Sequence, residues 1–312
     1  MMFAVLLVLL LAGSVFGFSY FAYRIAFFAP EKDRDAIPAT SGAHYDPYRE
    51  VMKLIYTQLT QREYEDVYVT SHDGLRLHGR YYHVKDGAPL DICLHGYRSS
   101  PMTDFSGGAE LSLELGHNLL LVDQRGHGKS QGKTITFGIQ ERHDCLTWIN
   151  WGLAQLGQDT QILLYGISMG ASTVLMASGL ELPKQVKGIV ADCPYNAPVS
   201  IICNVSDGMR IPSKLIKPFL ILGARLYGGF RLRETNAAQA VAHSTIPILI
   251  IHGEADTFVP CTMSEEIFAA SIGNVRRCTF PGAEHGISYL VDKIRYTRIV
   301  SEFIEEVLNS AG

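Results

Sequence analysis

The stretch Gly166-Ile167-Ser168-Met169-Gly170 decides how this 312-residue chain is interpreted. It follows the apolar run 162–165 and precedes a helical run that begins at Ala171. A strand that turns sharply into a helix around a serine needs glycines on both sides, because the turn leaves little room for side chains. The G-x-S-x-G pattern is weak evidence alone, and its position between a strand and a helix makes it informative. Ser168 is therefore a candidate nucleophile.

A serine hydroxyl is a poor nucleophile on its own, so it needs a base and an acid that orients the base. In this strand-turn-helix arrangement the expected chain order is serine, acid, histidine. Asp256 and His285 satisfy that order, and each lies in a loop that follows its own predicted strand. Glu254 and Asp192 remain alternatives for the orienting acid.

Backbone amides are the expected donors to the oxyanion that such a reaction forms. The segment His95-Gly96-Tyr97-Arg98 follows the strand predicted at 90–94, where a backbone N–H is expected to point into the site. We expect the amides of Tyr97 and Met169 to form the oxyanion hole. The identity of either side chain matters little, because the main chain supplies the donor.

From residue 66 onward, short apolar runs alternate with segments long enough for crossover helices. Near-continuous apolar strands are typical of a parallel sheet that is covered on both faces. The predicted strands are 66–71, 75–83, 90–94, 118–122, 161–165, 186–191, 246–251 and 276–280. The first two form a hairpin around Asp73-Gly74.

The segment 192–245 does not fit a simple crossover. It holds four prolines and the apolar run Leu215–Leu226, so we expect a helical insertion over the end of the sheet. That run is too short to span a membrane and suits a cap that lines an acyl pocket or rests on lipid.

Residues 1–29 are strongly apolar, and Met1 to Tyr23 carries no charged side chain. Twenty-three residues at 1.5 Å each give about 34 Å of helix, enough to cross the hydrocarbon layer. We interpret 1–29 as a retained membrane helix, with a cleaved signal sequence and secretion as the alternative. The basic residues after it favour a cytoplasmic catalytic domain under the positive-inside rule: Arg24, Lys32 and Arg34.

A polar, proline-containing stretch from residue 30 to 47 indicates a linker. Apolar residues at helical spacing then predict an amphipathic helix over 48–63 that packs on the domain. We therefore assign 30–65 to a linker and amphipathic helix.

The composition excludes several classes of protein. A net charge of -4 gives no basic surface for nucleic acid. The six cysteines form no C-x-x-C pair, and there is no Walker loop and no G-x-G-x-x-G after the first strand. We expect no cofactor and no metal, and the sequence carries no signal for an oligomeric state.

Several motifs together resemble the α/β-hydrolase superfamily over roughly residues 60–310. They are His95-Gly96, Asp123-Gln124-Arg125-Gly126-His127-Gly128-Lys129-Ser130, the elbow at 166–170, and the loops of Asp256 and His285. Within it, the chain most resembles bacterial serine aminopeptidase-like hydrolases that carry an N-terminal hydrophobic segment. Because serine occupies the elbow, the dehalogenase and epoxide-hydrolase activities, which use aspartate, are disfavoured.

The resemblance implies an eight-stranded, mostly parallel sheet with helices on both faces and a small helical cap between strands six and seven. The core would comprise 66–194 and 245–312, and the cap 195–244. It also implies a Ser168–His285–Asp256 triad.

We therefore expect a serine hydrolase that cleaves the carboxylic ester of a small acyl or lipid-like substrate through an acyl-enzyme. A serine aminopeptidase or amidase is the alternative with the same triad, although the cap offers only Asp207 and Glu234 for a substrate amine. A membrane-tethered binding protein with an inactive triad is the alternative from another class, and the complete triad counts against it.

Overall fold

The computed structural model describes residues 1–30 and 43–310. Most of the predicted linker, with Lys32 and Arg34, lies outside the described residues. Eight strands run along the chain: β1 Glu65–Thr70, β2 Arg76–Tyr82, β3 Leu90–Leu94, β4 Asn118–Asp123, β5 Ile162–Ile167, β6 Val186–Asp192, β7 Ile248–Gly253 and β8 Val275–Phe280.

The strands form one sheet in the order β1-β2-β4-β3-β5-β6-β7-β8. The β1–β2 and β2–β4 pairs are antiparallel, and the other five pairs are parallel. The eight-stranded, mostly parallel sheet predicted from the sequence is confirmed.

Twelve α-helices occur within the described residues. They are α1 Met2–Ala26, α2 Arg49–Thr60, α3 Pro101–Asp104, α4 Ser106–Glu114, α5 Glu141–Leu156, α6 Met169–Ala177, α7 Pro198–Gly208, α8 Ser213–Leu226, α9 Ala237–Val241, α10 Cys261–Ala270, α11 Ser288–Val291 and α12 Lys293–Asn309. A 3₁₀ turn, Ala43–Tyr48, leads into α2. Helices α7, α8 and α9 occupy the insertion between β6 and β7.

Both faces of the sheet are covered, which explains the continuous apolar strands. On β4, Leu120 and Val122 belong to the core cluster that includes residues of α5 and α6. Their neighbours Leu119 and Leu121 belong to the cluster that includes residues of α4 and α12. Since side chains alternate along a strand, a strand buried on both faces has no polar side.

The N-terminal helix α1 is long and apolar enough to cross a membrane by length and composition. Its side chains are exposed as far as Phe18, with the partial exception of Ala12. From there the chain packs on the domain, and Ser19, Tyr23 and Phe27 are buried. The apolar pattern of 1–29 predicts a separate anchor and gives no sign of this contact.

Phe27 is the centre of that contact. Its ring lies edge-on to Phe137 and Phe230, with ring centroids 5.8 and 5.3 Å apart. Nearby, a Cβ on Gly223 of α8 would collide with the main-chain carbonyl of Ser19. Only glycine at position 223 therefore lets α8 approach α1 this closely.

Candidate active site

The elbow at Ser168 has the strained geometry that its sequence predicts. Ser168 has a φ of 56°, in the left-handed region that non-glycine residues rarely adopt. A Cβ on Gly166 would overlap the backbone of Gly170, and a Cβ on Gly170 would overlap the carbonyl of Leu94. Both flanking glycines are thus required for β5 to turn directly into α6.

The three predicted site residues meet at one edge of the sheet. The Nε2 atom of His285 lies 2.9 Å from Oγ of Ser168, and its Nδ1 atom lies 2.7 Å from Oδ2 of Asp256. The parallel order of β5, β6, β7 and β8 places the loops after β5, β7 and β8 at the same edge. The arrangement allows a histidine to accept the proton of a serine while a carboxylate orients the ring.

The carboxylate of Asp256 is built to stay ionised. Its Oδ1 atom accepts the amides of Phe258 and Val259 at 3.0 and 2.8 Å. Burial alone would raise the pKa of Asp256, but the interactions with His252 and His285 outweigh burial and hold the pKa well below its ordinary value. Asp256 therefore stays negatively charged beside His285.

The two alternative acids have other hydrogen-bond partners, Thr279 for Glu254 and Tyr296 for Asp192. Glu254 accepts a hydrogen bond from the hydroxyl of Thr279 at 2.6 Å. Asp192 is buried, burial raises its pKa to about 6, and its Oδ1 atom has no hydrogen-bond partner among the described residues. Of the three candidates, Asp256 is the one bonded to His285.

The two amides predicted to form the oxyanion hole flank Ser168. Met169 is the first residue of α6, and the first amides of a helix lack a partner within the helix. On the other side, a Cβ on Gly96 would lie 3.4 Å from the Cβ of Ser168, so the loop that carries Tyr97 passes directly over the serine.

Asp104 holds that loop, and the sequence analysis missed it. Its Oδ2 atom accepts the amide of Gly96 at 2.6 Å, and its Oδ1 atom accepts the hydroxyl of Ser99 at 2.5 Å. The sequence signal that could have found Asp104 is Ser100-Pro101, a helix-capping serine and a proline at the first helical position, directly after the predicted loop.

Two buried histidines also brace the loop. The Nε2 atom of His95 accepts the amide of Gln124 at 3.2 Å, so the ring proton resides on Nδ1 and is donated to the carbonyl of Gly96. The Nε2 atom of His127 accepts the amide of Arg98 at 3.0 Å. Burial lowers the pKa of both rings to about 4, so both are neutral at pH 7.

The signature run 123–130 builds structure and does not line the cavity beside Ser168. The guanidinium of Arg125 pairs with Asp144 at 2.6 Å and with Asp73 at 2.9 Å. Those two carboxylates also lie close to His72 in a cluster of metal-ligand type, but both already pair with the guanidinium of Arg125.

A cavity of about 470 Å³ opens beside Ser168 and His285. Its size lies in the range of small-molecule sites. The apolar part of its wall is formed by side chains from four helices: Met52 of α2, Leu111 of α4, Leu290 of α11 and Val300 of α12. None of its lining residues belongs to 195–244, so the expectation that the cap lines an acyl pocket is not met here.

Residues just before α2 cover this cavity instead. Tyr45 lies in the 3₁₀ turn and donates its hydroxyl to the carbonyl of His285 at 3.2 Å. Burial raises the pKa of Tyr45 well above its usual range, so the phenol stays a donor. The sequence analysis assigned Tyr45 to a linker, although its aromatic neighbours Tyr48 and Tyr56 were a signal of packing.

A family model described as alpha/beta hydrolase fold matches residues 92–215. Together with the sheet order, this match shows that the chain has the α/β-hydrolase fold. The uncharacterized protein YqkD of Bacillus subtilis (strain 168) is 25% identical over 291 residues, which are 93% of this chain and 92% of YqkD. The uncharacterized protein Rv2307c of Mycobacterium tuberculosis is 28% identical over 247 residues, 77% of this chain and 79% of that protein.

Among solved structures, the esterase Pf2001 of Pyrococcus furiosus superposes with a TM-score of 0.65 at 24% identity. The match covers 87% of this chain and 97% of the esterase. At this identity the likeness shows the fold alone.

Proposed function

We propose that this chain is a membrane-anchored serine hydrolase that cleaves carboxylic esters through an acyl-enzyme. The observation that carries the proposal is the unbroken line of hydrogen bonds from Ser168 Oγ through His285 to Asp256, at 2.9 and 2.7 Å. The strained φ of Ser168 and the cavity that its side chain lines are both consistent with a nucleophile.

In the first half of the reaction, Ser168 Oγ attacks the acyl carbon of the ester while His285 Nε2 takes the hydroxyl proton. Asp256 keeps the proton of the ring on Nδ1 and stabilises the imidazolium that forms. The amides of Tyr97 and Met169 donate to the oxyanion of the tetrahedral intermediate. When the intermediate collapses, the C–O bond to the alcohol breaks and His285 returns its proton to that oxygen.

In the second half, a water molecule takes the place of the alcohol. His285 accepts one proton from the water while the oxygen of the water attacks the acyl carbon. The amides of Tyr97 and Met169 stabilise the second oxyanion. Collapse breaks the bond to Ser168 Oγ, which regains the proton from His285, and the carboxylic acid leaves.

An ester suits this site better than the free N-terminus of a peptide. The cap carboxylates considered for amine binding are occupied elsewhere: Asp207 accepts from Ser213, and Glu234 pairs with Arg142 at 2.7 Å. Neither lines the cavity, whose wall includes the apolar side chains of Met52, Leu111, Leu290 and Val300.

The buried end of α1 favours retention of the N-terminal helix over cleavage. Ser19, Tyr23 and Phe27 are part of the folded domain, so α1 continues from the exposed apolar stretch straight into the core. We propose that residues 2–18 cross the membrane, with the domain on the cytoplasmic side that Arg24 favours.

Turnover by the full-length chain in detergent tests the proposal. Wild-type protein should hydrolyse p-nitrophenyl acyl esters faster than aminoacyl-naphthylamides, and Ser168→Ala should lose at least about a thousandfold of the ester activity. Ser178→Ala, which removes only a hydrogen bond within its own helix turn, is the matched control. Ester activity that survives in folded Ser168→Ala would overturn the assignment.

A further inference from the structure

The start of α8 and the turn before it form an exposed, basic and apolar tip. We define the cap tip as residues 209–217, Met209-Arg210-Ile211-Pro212-Ser213-Lys214-Leu215-Ile216-Lys217. Met209, Ile211 and Leu215 are 66%, 44% and 67% exposed. The tip contains three cations and no carboxylate. Exposed apolar side chains between cations are typical of segments that lie on a membrane.

The contacts between α1 and α8 show which way the cap tip faces. Phe18 meets Phe219, with ring centroids 5.7 Å apart, and Tyr23 meets Tyr227, with centroids 6.0 Å apart. The two helices therefore run in the same direction. Because the cap tip precedes Phe219 in the chain, it lies toward the exposed, apolar part of α1.

The length of α1 sets the height of the membrane. None of residues 2–18 is buried, and 17 residues at 1.5 Å each give about 26 Å, slightly less than the roughly 30 Å of a hydrocarbon core. The membrane surface must then reach the level of Phe18, where α8 meets α1. Phe18, Tyr20 and Phe21 are exposed at that level, as in the aromatic belts of membrane helices.

The charges of the cap tip are free to meet a partner. Arg210, Lys214 and Lys217 make no ion pair within 4 Å with any of the residues that the structure describes. The nearest acid, Asp207, accepts the amide and the hydroxyl of Ser213, each at 2.8 Å. The segment 195–244 holds six Lys or Arg and two Asp or Glu, in a chain whose net charge is -4.

We propose that the cap tip lies in the headgroup layer of an anionic phospholipid bilayer, with Met209, Ile211 and Leu215 inserted and the three cations on lipid phosphates. This inference rests on the proposed membrane span of α1. Anionic lipid is the partner because it complements both the positive charge and the apolar side chains, and because α1 brings the tip to a membrane surface.

Tryptophan quenching in vesicles of brominated phosphatidylcholine, with or without phosphatidylglycerol, tests the proposal on the full-length chain. Leu215→Trp should lose most of its added emission when phosphatidylglycerol is present. Ile272→Trp is the matched control, because Ile272 is also exposed, at 86%, but precedes β8 at the opposite end of the sheet. Its added emission should remain.

Reversal of the three charges, Arg210→Glu with Lys214→Glu and Lys217→Glu, should reduce the quenching of Leu215→Trp to the level of Ile272→Trp. Turnover of a soluble ester in detergent checks that this variant is folded. Equal quenching at positions 215 and 272, or quenching of 215 that does not depend on phosphatidylglycerol, would overturn the proposal. Protein that fails to sediment with vesicles at all would instead contradict the membrane span of α1.

Discussion

The hydroxyl of Tyr97 donates a 2.9 Å hydrogen bond to the carbonyl of Ala26, the last residue of the N-terminal helix. The adjacent Arg98 donates to the carbonyls of Ile25 and Phe28 at 2.8 and 3.2 Å. The last carbonyls of a helix lack partners within it, so these two side chains cap α1. The loop whose amide we propose as an oxyanion donor is thus bonded to the end of α1.

This bond predicts that Tyr97→Phe impairs turnover without unfolding the chain. The ring would keep its stacking on Phe137, 4.9 Å between centroids, but would lose its hold on α1. One neutral hydrogen bond contributes about 1 kcal/mol, so kcat should fall by about three- to tenfold with KM unchanged. Tyr81→Phe, whose hydroxyl contacts only His83, should leave kcat unchanged. Equal kcat in wild type, Tyr97→Phe and Tyr81→Phe would show that the hydrogen bond between Tyr97 and α1 does not affect turnover.

The packing of α1 predicts a large stability difference between two of its phenylalanines. Phe27 is fully buried, whereas Phe21 is 63% exposed. Phe27→Ala should lower the free energy of unfolding by about 3–5 kcal/mol, since it leaves a cavity between Phe137 and Phe230. Phe21→Ala should change it by less than about 0.5 kcal/mol. Denaturant unfolding in detergent measures both, and similar losses would show that the end of α1 does not belong to the core.

The wall of the cavity predicts a change in acyl-chain preference. Met52 lines the cavity, while its neighbour Val51 is exposed and does not line it. Met52→Trp should fill part of the apolar wall and raise KM for long-chain p-nitrophenyl esters more than for the acetate. Val51→Trp is the control and should keep the wild-type profile. If KM depends on acyl-chain length in Met52→Trp as it does in wild type, the acyl chain does not bind against Met52.

The buried His127 predicts a pH-dependent contribution to stability. Burial lowers its pKa to about 4, whereas a histidine in the unfolded chain takes up a proton below about pH 6.5. The neutral ring thus contributes stability that is complete above pH 6.5 and is lost as pH falls toward 4. The difference in free energy of unfolding between wild type and His127→Gln should therefore shrink from pH 7 to pH 5. A difference that stays constant over this range would mean that the ring takes up its proton as readily in the folded state as in the unfolded chain.

The sheet and the three central site residues could be predicted because they depend on local patterns. β3 occupies residues 90–94 as its apolar run indicates. Asp256 and His285 each follow a parallel strand, and the carboxyl ends of parallel strands share one edge with the elbow at Ser168. The alternation of strands and helices therefore predicts that Ser168, Asp256 and His285 lie at the same edge of the sheet.

The rest depends on contacts between distant parts of the chain. An apolar helix that crosses a membrane and one that packs on a domain have the same composition, so the burial of Phe27 needed its partners Phe137 and Phe230 to be known. Tyr45 and His285 are 240 residues apart, and no local pattern links them. The segment around Tyr45, which lines the cavity, therefore has the sequence pattern of a linker.

Intact-mass analysis after treatment with a fluorophosphonate tests the central claim most directly. Full-length wild-type protein in detergent should gain one phosphonyl group, with loss of fluoride, and Ser168→Ala should gain none. Folded wild-type protein that gains no adduct, or an adduct that persists in Ser168→Ala, would contradict the proposal that Ser168 is the nucleophile of a serine hydrolase.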